Sequence, residues 1–330
     1  MSAPVLDVRH LQTHFFTRAG VARAVDDVSL TVARGEILGL VGESGSGKSM
    51  TGFSIMGLVD TPGRIVGGQV LFKGDDLLRL SPEALRRVRG DRLAMIFQDP
   101  MLTLNPVLRI ETQMIEALQA HQEISRAAAR ERAIAALGEV GIADPAQRLR
   151  AYPHEFSGGM RQRVAIAIAL INQPDLVIAD EPTTALDVTI QGQILALVQK
   201  LSRERQLALI WITHDLSVVA GLADRIAVMY AGRIVETCRS GDVAATLAQP
   251  AHPYTRGLLA AIPALHARGT RLQPVPGNAP TLIDLPDGCA FRPRCAQAFS
   301  RCGQTPPEFV VDGRRVRCWL ADPAAGEGAR

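Results

Sequence analysis

One octapeptide, Gly42-Glu43-Ser44-Gly45-Ser46-Gly47-Lys48-Ser49, constrains this chain more than any other stretch. It fits G-x-x-x-x-G-K-[ST], and its flanks suit that pattern. Before it, Glu36-Ile37-Leu38-Gly39-Leu40-Val41 is an apolar run of buried-strand type; after it, Met50 to Val59 reads as an amphipathic helix. A strand, a glycine-rich turn and a helix N-terminus make a phosphate cradle, because glycines let the backbone approach and turn its N–H groups inward. Lys48 brings a point charge to the β/γ-phosphates, and the Ser49 hydroxyl can ligate Mg²⁺. A chance match of the four fixed positions occurs in about one chain in a hundred of this length. The strand–turn–helix context lowers that further, so the expectation is a nucleoside triphosphate site.

The chain can bury a large core, since 47% of its 330 residues are hydrophobic, and its length suggests about two domains. Lys and Arg total 36 against 33 Asp and Glu, and no basic run marks a nucleic-acid patch. Aromatic residues are few, which weakens any case for base stacking. No nucleic-acid partner is expected. No apolar stretch approaches the roughly 18 residues of a spanning helix, and Met1 to Leu11 lacks the layout of a secretory signal. A cytosolic chain without signal peptide or transmembrane segment is expected, peripheral to the membrane through partners. Structural disulfides among its five cysteines are not expected there.

Along the first 35 residues polar and apolar positions alternate, with Arg18-Ala19-Gly20 as a turn, which predicts an antiparallel β-layer. Gly67-Gly68 opens a predicted strand from Gln69 to Phe72, and a second runs from Leu93 to Phe97. Pro106 to Val140 reads as helical, part of an inserted helical subdomain at about residues 100–172. Buried-type strands follow at Leu176 to Ala179, Ala208 to Ile212 and Arg225 to Tyr230, separated by helices. That rhythm predicts an α/β fold with a mostly parallel core sheet. Ala231-Gly232-Arg233 reads as a hairpin turn. Beyond Pro263 prolines, glycines and cysteines cluster and periodicity fades, placing a boundary between a main domain at 1–262 and an extension at 263–330.

Leu176-Val177-Ile178-Ala179-Asp180-Glu181 is an apolar strand ending in two carboxylates. Asp180 suits Mg²⁺, and Glu181 can polarise a water that attacks the γ-phosphate. The competing reading is an ordinary acid pair at a strand end. Ile212-Thr213-His214-Asp215 repeats the arrangement, placing His214 to contact the γ-phosphate; a lone histidine elsewhere is more often structural. Gln98 also ends a strand, and its amide oxygen can reach the metal or the water. In Phe156-Ser157-Gly158-Gly159-Met160-Arg161-Gln162-Arg163, Ser157 can cap a helix whose positive end forms a second anion site. A plain helix start is the alternative; a contact with nucleotide on a different subunit explains more.

Together these residues resemble an ATP-binding subunit of an ABC transporter. Walker A at 42–49, the Gln loop at Gln98, the signature Ser157-Gly158-Gly159 with Met160, Walker B at 176–181, the D-loop Ala185-Leu186-Asp187 and the switch His214 occur in family order. The resemblance covers about residues 5 to 262 and implies an ABC-type P-loop NTPase fold. It also implies a dimer in which ATP lies between one subunit's Walker A and the other's signature, with Mg²⁺ held by Ser49, Asp180 and Gln98. The runs Ile96 to Pro106, Ala179 to Gln191 and His252-Pro253-Tyr254-Thr255 resemble the dipeptide/oligopeptide/nickel importer group, and Met160 resembles the first of its two ATPase subunits. The implied function is ATP-driven uptake of short peptides at the cytoplasmic face of the cell membrane. The implied partners are a second ATPase (a sister rather than a copy), two membrane permeases and an extracytoplasmic solute-binding protein. In the family an aromatic ring stacks on adenine; here Phe15 and Phe16 are the candidates, or else core residues of the β-layer.

Cys289, Cys295, Cys302 and Cys318 follow the spacing C-x5-C-x6-C-x15-C, which matches neither paired zinc motifs nor ferredoxin runs. Spacing leaves a soft-metal site or unpaired thiols. Cys289-Ala290-Phe291-Arg292-Pro293-Arg294-Cys295 resembles the C-terminal extension of peptide-importer ATPases, which implies a [4Fe–4S] cluster; four thiolates also suit Zn²⁺. Cys238 reads as a packing residue on a strand. The rival functions are import of nickel or another small solute, and a soluble ABC ATPase acting on ribosomes or DNA. The second would usually bring tandem nucleotide domains, a long coiled coil or a basic surface.

Overall fold

The computed structural model describes residues 3–184, 186–238, 241–262 and 274–324. Two long strands, β1 (Leu6–Thr17) and β2 (Gly20–Val32), precede β3 (Ile37–Val41) and α1 (Lys48–Met56). Then come β4 (Gly63–Phe72), β5 (Asp75–Asp76), α2 (Pro82–Val88) and β6 (Leu93–Ile96). A helical run holds α3 (Pro100–Thr103), α4 (Ile110–Gln119), α5 (Arg126–Glu139), α6 (Pro145–Arg148) and α7 (Gly158–Leu170). Strands and helices alternate through β7 (Leu176–Asp180), α8 (Val188–Arg205), β8 (Ala208–Thr213), α9 (Leu216–Leu222) and β9 (Arg225–Tyr230). The described chain closes with β10 (Arg233–Thr237), α10 (Val243–Ala248), α11 (Pro253–Ala260), β11 (Phe309–Val311) and β12 (Arg314–Val316).

Two compact units emerge. The first comprises Met1–Leu6, Val32–Glu36 and Asp76–Ile210; the second comprises Asp7–Thr31, Ile37–Asp75 and Trp211–Arg330. The boundary expected near Pro263 falls outside the described residues.

In the first unit β6 pairs in parallel with β7, in register from Leu93↔Leu176 to Ile96↔Ala179. Both strands are buried along their length, which accounts for their unbroken apolar sequences. The helices pack through narrow apolar stripes. Helix α4 buries Ile110, Met114, Ile115 and Leu118, and α5 buries Ala129, Ala133, Ala136 and Leu137. Those spacings place each set on one helical face, and small alanines let the neighbouring helix approach.

The second unit carries the antiparallel layer, in strand order β2-β1-β4-β5, and the strands β11-β12-β10-β9-β3. β3 and β9 are parallel, with Leu38 opposite Arg225 and Val41 opposite Val228. Three features differ from expectation. Helix α1 stops at Met56 rather than near Val59, because Gly57 adopts φ 64° and closes it with a left-handed cap. β4 begins at Gly63, so Gly67-Gly68 lies within the strand rather than opening it. The extension, expected to lack periodic structure, contains the β11–β12 hairpin, and β12 pairs with β10 through Glu236↔Val316 and Thr237↔Arg315. Cys238 follows β10 directly, buried, with its sulfur accepting a hydrogen bond from the Ile226 N–H at 2.8 Å.

Candidate functional site

All five residues of β3 are buried, and the strand ends where Gly42 starts the turn. The turn lies tight against neighbouring backbone: a Cβ on Gly42 would sit 2.2 Å from the Met229 carbonyl oxygen, and one on Gly47 would sit 2.2 Å from that of Ala24. Gly47 also holds φ 102° and is the N-cap of α1, with no side chain capping the helix. The positive end of the helix therefore meets the loop rather than a carboxylate or hydroxyl cap. Lys48 is buried, and its Nζ donates to the carbonyls of Gly42 and Glu43, both at 2.8 Å. Anionic phosphate oxygens compete well against neutral carbonyls for such an ammonium, since charge-assisted hydrogen bonds are roughly twice as strong.

Glu43 is fastened from three sides. Its carbonyl accepts from Lys48, and its N–H donates to the Tyr254 hydroxyl at 2.8 Å. Its carboxylate accepts a two-pronged grip from Arg294, Nη1 to Oε2 at 2.7 Å and Nη2 to Oε1 at 3.0 Å. The motif His252-Pro253-Tyr254-Thr255 thereby acquires a structural role. His252 Nδ1 accepts from the Tyr254 N–H at 3.0 Å and caps α11, and Pro253 occupies its first turn. Tyr254 is fully buried, and that burial pushes its phenol pKa up, keeping the hydroxyl neutral. Its ring packs with Tyr230 and Phe291, at centroid distances of 4.6 and 5.4 Å. Sequence reasoning assigned no role at the site to Tyr254 or Arg294.

In the first unit, the parallel register of β6 and β7 brings their C-terminal ends side by side. Gln98 and Glu181 meet there, with Gln98 Nε2 donating to Glu181 Oε2 at 3.3 Å. Thr184 Oγ1 donates to the same oxygen at 3.0 Å, a contact that sequence reading did not anticipate. Glu181 adopts φ 44°, a left-handed conformation that a non-glycine residue holds only when its surroundings enforce it. Asp180 is the last residue of β7 and is buried. In the second unit, His214 is exposed and directly follows β8, and Asp215 beside it caps α9 through the Ser217 N–H at 2.8 Å.

Ser157 is the N-cap of α7, its Oγ accepting from the Met160 N–H at 3.3 Å. A Cβ on Gly159 would lie 2.7 Å from Ile190 Cγ2, so the signature helix fits closely against the start of α8. Asp187 caps α8, its Oδ1 accepting from the Ile190 N–H at 3.0 Å; Ala185 of the D-loop lies outside the described residues. Val188, next to Asp187, is 84% exposed.

Residues 25–184 match the ABC transporter family, and residues 239–302 match the oligopeptide/dipeptide transporter C-terminal region. The chain is 49% identical to the oligopeptide transport ATP-binding protein OppD of Salmonella typhimurium, over 96% of this chain and 93% of that one. The chain belongs to the ABC transporter ATPases. This ABC ATPase is also 48% identical to the dipeptide transport ATP-binding protein DppD of Bacillus subtilis, over 97% of its own length and 96% of its relative's. Among solved structures it resembles the dimeric ATP-binding cassette MJ0796 in a post-hydrolysis state with ADP and Pi. That likeness has a TM-score of 0.64 at 27% identity and covers 72% of this chain and 98% of the other. Among the described residues no helix is long and apolar enough to cross a membrane.

Two further candidate sites of the ABC ATPase lie in its second unit. Phe15 packs where a Cβ on Gly63 would meet its ring at 2.7 Å, whereas Phe16 is 39% exposed with the Arg64 guanidinium 4.0 Å from its ring centre. Cys289, Cys295, Cys302 and Cys318 are among the residues that line one cavity of about 10 Å³. Burial raises the pKa of Cys289 and Cys295 and pushes that of Cys318 up to about 12. The donor set suits a soft metal, but among the described residues no His, Cys, Asp or Glu group stands in a ready metal-binding arrangement.

Proposed function

We propose that this ABC ATPase hydrolyses ATP at a composite dimer interface to drive import of di- or oligopeptides across the cytoplasmic membrane. Identity of 48–49% to OppD and DppD over nearly the whole chain carries the reading, with a phosphate loop already shaped around buried Lys48. The phosphate loop, Gly42 to Ser49, receives the triphosphate, and Lys48 exchanges loop carbonyls for phosphate oxygens. Ser49, Asp180 and Gln98 hold Mg²⁺, an oxygen donor set that suits a hard cation. The metal supplies charge neutralisation at the β- and γ-phosphates. Glu181, oriented by Gln98 and Thr184, accepts hydrogen bonding from the attacking water, and His214 steadies the γ-phosphate. Phe16, the more exposed of the two phenylalanines, stacks on adenine.

In this reading, residues 1–262 form the ATPase domain and 263–330 the extension. The signature Ser157-Gly158-Gly159-Met160 and Asp187 serve a nucleotide held by the partner. Support comes from the dimeric state of MJ0796 and from exposed Val188 beside Asp187. The partners are a sister ATPase, two permeases and an extracytoplasmic peptide-binding protein, which place the chain peripherally on the cytoplasmic face of the membrane. The four extension cysteines ligate a [4Fe–4S] cluster, with Zn²⁺ as the alternative occupant. That all four cysteines line one cavity supports ligation, and occupancy would require their thiols to draw into a cage. Iron, sulfide and zinc analysis of anaerobically purified chain should find one of these groups, lost in Cys302→Ser; metal-free protein would remove this part of the reading.

The deciding experiment is affinity purification from detergent-solubilised membranes, followed by ATP turnover of the captured complex with its binding protein and added peptides or nickel. Capture of two permeases and a second ATPase, with turnover stimulated by peptide, is expected. Stimulation by nickel alone would replace the solute. Capture of ribosomes or DNA-repair factors without any membrane subunit would overturn transport.

A further inference from the structure

The phosphate loop is held at Glu43 by two residues remote in sequence, and one of them, Arg294, lies inside the cysteine block of the extension. Both belong with the loop to the second unit. The Arg294 side chain is 7% exposed and that of Glu43 27%, so the pair is largely shielded from water. The guanidinium is itself fixed in place. Its Nε donates to the Pro276 carbonyl at 2.7 Å, Nη2 reaches the Gly277 carbonyl at 3.4 Å, and Nη1 reaches the Tyr230 hydroxyl at 3.4 Å. The ring centres of Tyr230 and Phe291 lie 5.8 and 6.0 Å from its central carbon. Backbone bonds tie Arg294 into the block as well: its N–H donates to the Phe291 carbonyl, and the Cys289 N–H donates to the Cys302 carbonyl, both at 3.0 Å.

We propose that Arg294 is a positioning residue for ATP binding: through its forked pair with Glu43, the extension sets the shape of the phosphate loop. Glu43 supplies one of the two carbonyls that hold Lys48. Its carboxylate, gripped at both oxygens, limits rotation of that peptide, so the carbonyl and the following N–H groups stay aimed into the bowl. A loop ordered before nucleotide arrives loses less conformational freedom on binding, and that saving appears as affinity. Tyr254 restrains the same residue through its N–H, while among the described residues the carboxylate is gripped by Arg294. The fork needs guanidinium geometry; a lysine at 294 supplies charge but cannot span both oxygens and the Pro276 carbonyl at once.

A double-mutant cycle on the full chain tests this, reading the Kd for MgATP by calorimetry and the melting temperature on the same samples. Glu43→Gln and Arg294→Gln should each raise the Kd about five- to tenfold, and the double variant no further than the worse single, the mark of one shared interaction. Arg294→Lys should fall between wild type and Arg294→Gln. As a control, Arg301→Ala breaks the 2.7 Å pair with Asp322 elsewhere in the extension. It should lower the melting temperature while leaving the Kd within about twofold. Additive effects of the two singles, or an unchanged Kd in both, would overturn the proposal. So would equal weakening by Arg301→Ala, since general loosening of the extension would then explain the loss.

Discussion

Glu181 joins its proposed chemical role to an unfavourable backbone. Its φ of 44° is one that glycine adopts freely, yet the position carries a carboxylate with two side-chain donors on one oxygen. Strain of this kind costs of order 1–3 kcal/mol and is kept where the surroundings over-determine it. Glu181→Gln preserves volume and backbone and removes the anionic acceptor. ATP turnover of the assembled complex should fall about 10²- to 10⁴-fold with MgATP affinity retained. Turnover within a factor of about two of wild type would remove the role assigned to Glu181. The residues proposed for the chemistry could be nominated from sequence because phosphate binding and water activation restrict residue type over a few adjacent positions. The residues that hold them were not. Tyr254 and Arg294 act on Glu43 across 211 and 251 positions, and no local spacing encodes such a contact. Thr184 was missed for the opposite reason: a threonine three residues from an acid is too common to signal anything.

Among elements, the strand–turn–helix from β3 through α1 shows how tightly a phosphate loop is built. Gly47 combines φ 102° with a backbone carbonyl where its Cβ would fall. Alanine there must both enter a left-handed conformation and displace the β2 backbone at Ala24; the Met229 methyl, 2.8 Å away, can yield, but the Ala24 carbonyl at 2.2 Å cannot. Gly47→Ala should therefore destabilise the chain by more than about 3 kcal/mol, beyond the usual range for a point substitution. Urea unfolding of the two proteins measures this; a loss below about 1 kcal/mol would mean the loop tolerates another path. The core strands were readable because burial on both faces forces continuous apolar runs, as in β7 and β8. Element ends were less so, since Gly57 stops α1 through a cap that the apolar pattern alone does not reveal. The β11–β12 hairpin did carry a signal. Asp312-Gly313, both at positive φ, separates Phe309-Val310-Val311 from Arg314-Arg315-Val316. Clustered prolines and cysteines around it obscured that short pattern.

At the scale of the molecule, the phosphate loop and His214 belong to one compact unit, while Gln98, Glu181 and the signature belong to the other. In the composite-site reading, each ATP needs Lys48 of one subunit and Ser157 of its partner, so an isolated chain has half of every site. Its turnover should trail that of the assembled complex by about 10²–10³, the usual loss when preorganised charge stabilisation is removed. The same geometry separates a pair of copies from a pair of sisters. Lys48→Met disables a phosphate loop and Ser157→Arg blocks a signature, so each variant alone, paired with itself, has two dead sites. Were the chain a homodimer, mixing the two would create hybrids with both defects in one site and none in the other. Random exchange gives half hybrids with one working site of two, hence roughly a quarter of wild-type turnover. With a sister subunit as the true partner, the mixture should stay inactive until that subunit is added. Each variant, joined to the wild-type sister, then retains one intact site, because Lys48→Met spares its own signature and Ser157→Arg spares its own phosphate loop. Recovery of about a quarter without the sister would establish self-pairing instead.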